Sequence, residues 1–205
     1  MVTVHPVPRR ARKKAATRER IIAIAIAMFS RRGIDGPTVD EIAEAADVGK
    51  GTIYNYFATK EHIVVAFMID LERKIQARAL RLAGAEGSLD SILSAFLKFQ
   101  FRLKAPYLEF VRVFLAQMYG RRESFLPYIE ELQTIIDPPL LKLYQTLQQR
   151  GMMRKTVTPA ELVPIFKTIH LGLVGAWAVE GPPFRHTPKI LAAEIRLFCV
   201  GLERT

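Results

Sequence analysis

Residues 47–61 read DVGKGTIYNYFATKE. Lys50, Thr52, Tyr54, Asn55, Tyr56 and Lys60 bring ammonium, hydroxyl, phenol and amide groups into one short stretch. Their chemistry is recognition and not bond-making. Ammonium groups pair with phosphates, while hydroxyl, amide and flat aromatic side chains meet base edges and thymine methyls. On a helix Ile53 and Phe57, four apart, share one face and point it inward. Lys50 with Tyr54, Gly51 with Asn55, and Thr52 with Tyr56 form the remaining stripes, and Gly51 lets the backbone come close to a partner. The array is that of a helix laid against duplex DNA.

Chemistry of other kinds finds little support. His5, His62, His170 and His186 lack metal-ligand spacing, and no serine sits in a nucleophile motif. Cys199, the single cysteine, lies in an apolar run, which excludes an internal disulfide framework and suits a reducing, cytoplasmic setting. His170 and Glu180 are ten positions apart, too far to act as a pair on one turn, although His170 could offer a polar contact within a pocket. We therefore expect no enzyme, no metal and no cofactor.

Positioning the candidate helix requires partners, and the sequence supplies them. Apolar residues recur at helical spacing from Ile21 to Leu202 with almost no alternation, which predicts an all-α chain. Gly33 and Gly36-Pro37 separate a first helix (about 17–32) from a second (about 39–46), and Asp47 to Gly49 separate that from a third (about 50–57). Two short helices joined by three residues have the spacing of a helix-turn-helix. Thr38 and Glu41 form a Thr-x-x-Glu capping pattern for the second helix. A fourth helix follows over about 60–82, a fifth from a Ser88 cap to about 104, and a sixth from Pro106 to about 119. A seventh covers about 126–149, bent or split at Pro138-Pro139; the eighth runs 159–180 and the ninth 188–202.

The 205 residues carry 30 Lys and Arg against 20 Asp and Glu, a formal charge of +10 that favours polyanionic partners. The densest block, RRARKK at 9–14, reads either as a solvated tail or as an arm on the phosphate backbone. No stretch reaches the roughly 18 uncharged apolar residues of a membrane span, and no signal-peptide pattern opens the chain.

RERIIAIAIAMFSRRGIDGPTVDEIAEAADVGKGTIYNYFATKEHI, residues 18–63, resembles the DNA-binding domain of the TetR family of bacterial transcriptional regulators. Ile21-Ile22, Phe29, Gly33, Thr38-Val39, Ile42-Ala43, KGTIYNYF and Lys60-Glu61 carry the likeness in register. It implies an N-terminal three-helix DNA-binding domain (17–60, after a basic arm, 1–16) followed by a helical effector-binding and dimerisation domain (61–205), with about nine helices in all. It places Lys50, Thr52 and Tyr54 nearest the bases and Thr38, Asn55, Tyr56 and Lys60 on phosphates. Asp47 stands where the family has glycine, and tolerates a left-handed turn. Gly49 stands where the family has a capping serine.

Beyond residue 63 the reading is physical. The aromatic load of FLKFQF and FVRVFLAQMY serves an ordinary core, with a subset lining a ligand cavity; Phe67, Phe96, Phe99, Phe114, Met118 and His170 are the candidates. Leu97 and Phe101 lie off the main stripe of the fifth helix, so that helix is buried on two sides. In HLGLVGAWAV, Gly172, Gly175 and Ala176 let a second helix approach, with Trp177 packing at or near that contact. By resemblance the last two helices, with Ile195 and Phe198, form a four-helix homodimer interface, as a palindromic operator requires. A ligand-responsive repressor released by a small apolar effector is the reading favoured; a constitutive or architectural DNA binder and a helical lipophile carrier are its rivals.

Overall fold

The computed structural model describes residues 8–120 and 123–202. Among them the chain forms nine α-helices and two short 3-10 turns: α1 Arg9–Arg32, α2 Val39–Ala45, α3 Lys50–Tyr56, α4 Lys60–Ala83, α5 Leu89–Lys104, α6 Leu108–Tyr119, α7 Leu126–Gln149, α8 Pro159–Glu180 and α9 Thr187–Leu202. Backbone contacts divide it into two compact units, one ending at Phe67 and the other beginning at Met68.

In the first unit α1, α2 and α3 close over Ile21, Ala25, Phe29, Ile42, Ile53 and Phe57, all buried. The α1–α2 link is fixed by polar groups. Thr38 Oγ1 accepts from the Glu41 amide (3.2 Å) while Glu41 accepts from the Thr38 amide (2.7 Å), the reciprocal cap expected. Arg32 donates to Glu41 (2.7 Å) and to the Gly36 carbonyl (3.1 Å). Arg32 first, and then the Thr38 amide, hold the Glu41 carboxyl down at about 2. Any Cβ at position 36 would lie 2.4 Å from the Arg32 carbonyl oxygen, so only glycine fits. Asp47 takes the left-handed conformation, φ 49°, expected of a residue at the family's glycine position.

One expectation here is corrected. The basic block at 9–14 is the first turns of α1, which starts directly after Pro8 instead of near residue 17. Arg, Ala and Lys are strong helix formers, and no Pro or Gly interrupts them before Gly33. The first seven residues of the expected arm lie outside the described residues.

The second unit packs α5 against α9, and α8 against α6, α7 and α9. Its centre is aromatic: Phe166 meets Phe96 (6.2 Å between centroids) and Tyr144 (6.0 Å). Leu97 is buried and Phe101 packs on Trp177 (5.4 Å), so α5 is covered on two sides. Pro138-Pro139 do not split α7, which continues through them because Leu132 and Leu140, Leu143, Tyr144 and Leu147 bury one face on either side. By length and composition α8 is apolar enough to cross a membrane. Leu162, Val163, Phe166, Leu173, Val174, Trp177 and Ala178 are nonetheless buried within this unit. Between α8 and α9, Glu180 accepts from the amides of His186 (2.7 Å) and Thr187 (2.9 Å) and from the Thr187 hydroxyl. The Thr187 hydroxyl and then the His186 amide hold its carboxyl at about 2.

Candidate nucleic-acid interface and interior cavity

The α3 helix buries Ile53 and turns Lys50, Gly51, Tyr54 and Asn55 to solvent, Tyr54 at 51% exposure, with Thr52 and Tyr56 half-buried at its flanks. Lys50 donates to Asp40 (2.8 Å) from an exposed position, and that hydrogen bond raises its pKa. An exposed pair of this kind contributes little to stability and exchanges readily for a phosphate.

Three of the residues assigned to phosphates are already engaged. Tyr56 donates its hydroxyl to the Lys14 carbonyl (3.2 Å), Thr38 is held in its cap, and Lys60 donates to the carbonyls of Asp35 (3.1 Å) and Pro37 (3.2 Å). Their first task is to set the α1–α2 loop and to tie α3 to α1. Lys60 keeps one N–H of its three for an outside acceptor. Arg9, Arg10, Arg12, Lys13 and Lys14 are exposed along the opening turns of α1.

In the second unit a cavity of about 120 Å³ opens among α4, α5, α6, α7 and α8. Of the six candidate ligand residues, Phe114, Met118 and His170 line it. Phe96 is core, Phe99 lies beneath the guanidinium groups of Arg78 and Arg102, and Phe67 falls in the first unit. Unforeseen were the charged and amide residues in its wall beside His170. Lys104 Nζ lies 2.6 Å from Glu72 Oε1 with both side chains under 10% exposed, and Gln76 and Gln100 stand beside them. Glu72 with Gln76, and Gln100 with Lys104, are each four apart and so share a face of α4 and of α5, a spacing present in the sequence. Both ring nitrogens of His170 are shielded from solvent and, among the described residues, without a hydrogen-bond partner. Burial, and then the Lys104 charge, lower that imidazole to about 3.

Of the expected interface residues, Gly172 and Ala176 are exposed, while Gly175 and Phe198 are half-buried. Trp177 and Ile195 are inside the chain at 3% and 4% exposure; the Trp177 ring stacks on Phe184 and meets Phe101. Among the described residues, the exposed large apolar residues of α8 and α9 are instead Ile165, Ile169, Val179, Ile190, Leu197 and Val200.

Residues 21–67 match the family described as bacterial regulatory proteins, tetR family. The HTH-type transcriptional regulator TtgW of Pseudomonas putida, itself uncharacterised, is 32% identical over 91 residues, 42% of this chain and 68% of that one. The chain belongs to the TetR family. The HTH-type transcriptional repressor SCO4008 of Streptomyces coelicolor is 26% identical over 179 residues, covering 85% of this TetR-family chain and 84% of the relative. Thermus thermophilus FadR, a TetR-family repressor solved in complex with lauroyl-CoA, superposes with a TM-score of 0.64 at 20% identity, covering 90% and 91% of the two chains.

Proposed function

We propose that this TetR-family protein is a homodimeric repressor that reads a palindromic operator with α3 and is released by a small molecule in the α4–α8 cavity. The observation that carries the reading is the division of α3: Ile53 buried on one side, and Lys50, Gly51, Tyr54 and Asn55 exposed on the other. Hydrogen-bonding and aromatic side chains on one face, with glycine at the point of closest approach, suit a major groove. The relative SCO4008, a transcriptional repressor, supports the direction of control.

Dimerisation is supported by Ile165, Ile169 and Leu197, which line a mostly apolar groove along α8 and α9, with Val200 exposed on α9. A second copy covers the groove and supplies the second recognition helix. Coupling runs through α4, whose Met68, Glu72 and Gln76 line the cavity and whose Lys60 holds the α1–α2 loop. A ligand that favours the DNA-incompetent arrangement by about 1.4 kcal/mol lowers operator affinity tenfold.

The test is titration of a duplex carrying the operator with wild type and Tyr54→Ala. Taking the ring away from the bases should cost about 1–3 kcal/mol of specific binding and leave binding to unrelated duplex unchanged. Equal operator affinity for the two proteins would remove α3 from recognition.

A further inference from the structure

Resting on the effector reading above, we propose that the α4–α8 cavity recognises a neutral, hydroxyl-bearing apolar molecule about one ring in size. Size is the first argument. The cavity measures about 120 Å³, and an engineered protein cavity of about 150 Å³ takes up benzene. A long acyl chain with a nucleotide head has no room in it.

Charge is the second. Two lysines and one carboxylate border the space, and each has an opposite partner. Lys104 lies 2.6 Å from Glu72, and Lys167 lies 2.5 Å from Asp137. An anionic ligand reaching Lys104 must displace Glu72 or sit against its carboxylate, and a cation meets the converse difficulty. Breaking the buried Lys104–Glu72 pair leaves one charge uncompensated, which disfavours either kind of ion at that end of the cavity. Lys167 and Asp137, 33% and 45% exposed, form a solvated pair at its edge. Burial keeps the His170 imidazole neutral at pH 7, so with Lys104 and Glu72 paired the buried end of the wall carries no net charge.

The third argument is the count of unmade hydrogen bonds. His170 Nδ1 and Nε2 and Gln76 Oε1 are shielded from solvent with no partner among the described residues, and both residues line the cavity. The ring is held by stacking on Phe166 (5.7 Å between centroids, 2° between planes) and by the edge of Phe101 (6.1 Å). A neutral imidazole offers one donor and one acceptor, and the Gln76 oxygen is a further acceptor. A hydroxyl group both donates and accepts, which matches this set. A carboxylate or ketone supplies acceptors only, and a hydrocarbon supplies neither.

The experiment is calorimetric titration of the full chain at pH 7.5 with 4-methylphenol, toluene, 4-methylbenzoate and lauroyl-CoA. The proposal expects saturable binding of 4-methylphenol, at least about tenfold tighter than each of the other three. His170→Phe and Gln76→Met, each checked by thermal melting, should bring the preference for 4-methylphenol over toluene to about threefold or less. The wild-type comparison needs no variant to fold. Equal binding of 4-methylphenol and toluene, tightest binding of 4-methylbenzoate or lauroyl-CoA, or no binding at all would overturn the proposal. Operator titration with the same compounds separates the two readings. A hydroxyl preference with unchanged operator affinity upholds the recognition and contradicts the effector role. Release of operator by 4-methylbenzoate alone upholds the effector role and overturns the neutral ligand.

Discussion

His170 is surrounded by rings and has Lys104 close enough to repel its protonated form, which is why its pKa falls from 6.5 to about 3. The unfolded chain therefore binds a proton at this residue before the folded chain does. Stability from this source is complete above about pH 6.5 and is lost as pH falls toward 3. Urea denaturation between pH 7 and pH 4 should show wild type losing more stability than His170→Phe; parallel curves would mean that the ring is hydrated. Lys104 presents a separate case, because its pairing with Glu72 is almost wholly buried. Lys104→Met should cost about 3–5 kcal/mol by leaving Glu72 alone, whereas Lys104→Met with Glu72→Leu should recover much of that loss. Chemical denaturation of the single and double variants measures the difference.

Among the elements, α1 departs furthest from what its sequence suggests. Since Arg9 to Lys14 are helical and exposed, glutamine in place of Arg9, Arg10, Arg12, Lys13 and Lys14 retains the helix while removing charge. The salt dependence of DNA binding should then flatten by about 0.9 for each phosphate no longer neutralised, with specific and unrelated duplexes affected alike. An unchanged slope would assign these turns to solvent. The boundaries of α3, α5, α7 and α8 were legible because Gly49, Ser88, Pro159 and the apolar spacing that follows each cap or break are local signals. The inner face of α3 was legible for the same reason, from Ile53 and Phe57 alone. Tertiary partners were not. Nothing near Lys60 announces that its ammonium reaches back to Asp35 and Pro37, and nothing near Tyr56 announces Lys14. Trp177 sits among small residues that suggest an interface, yet its side chain follows Leu173 and Val174 inward and finds Phe101 and Phe184. Half of the cavity wall escaped because aromatic load marks apolar surface, while the polar end depends on which turns of α4 and α5 face each other.

At the scale of the molecule, symmetry links the two proposed activities. Leu197 is 72% exposed and Val200 64%, on the same stretch of α9 as the groove, so a charge placed there has room within the protomer but none in a dimer. Leu197→Glu should convert a sedimenting dimer to monomer at micromolar concentration and leave the helical content unchanged; a monomeric wild type would refute the arrangement. Two copies related by a two-fold axis present two α3 helices, which enter successive major grooves only if they stand about 34–36 Å apart. The most direct measurement is selection of bound sequences by the wild-type chain from random duplex DNA. The account predicts one enriched inverted repeat whose half-site centres are about one helical turn apart, 10 to 10.5 base pairs, or a whole multiple of it. A pool that remains random after repeated rounds, or a single enriched half-site without its inverted copy, would contradict it.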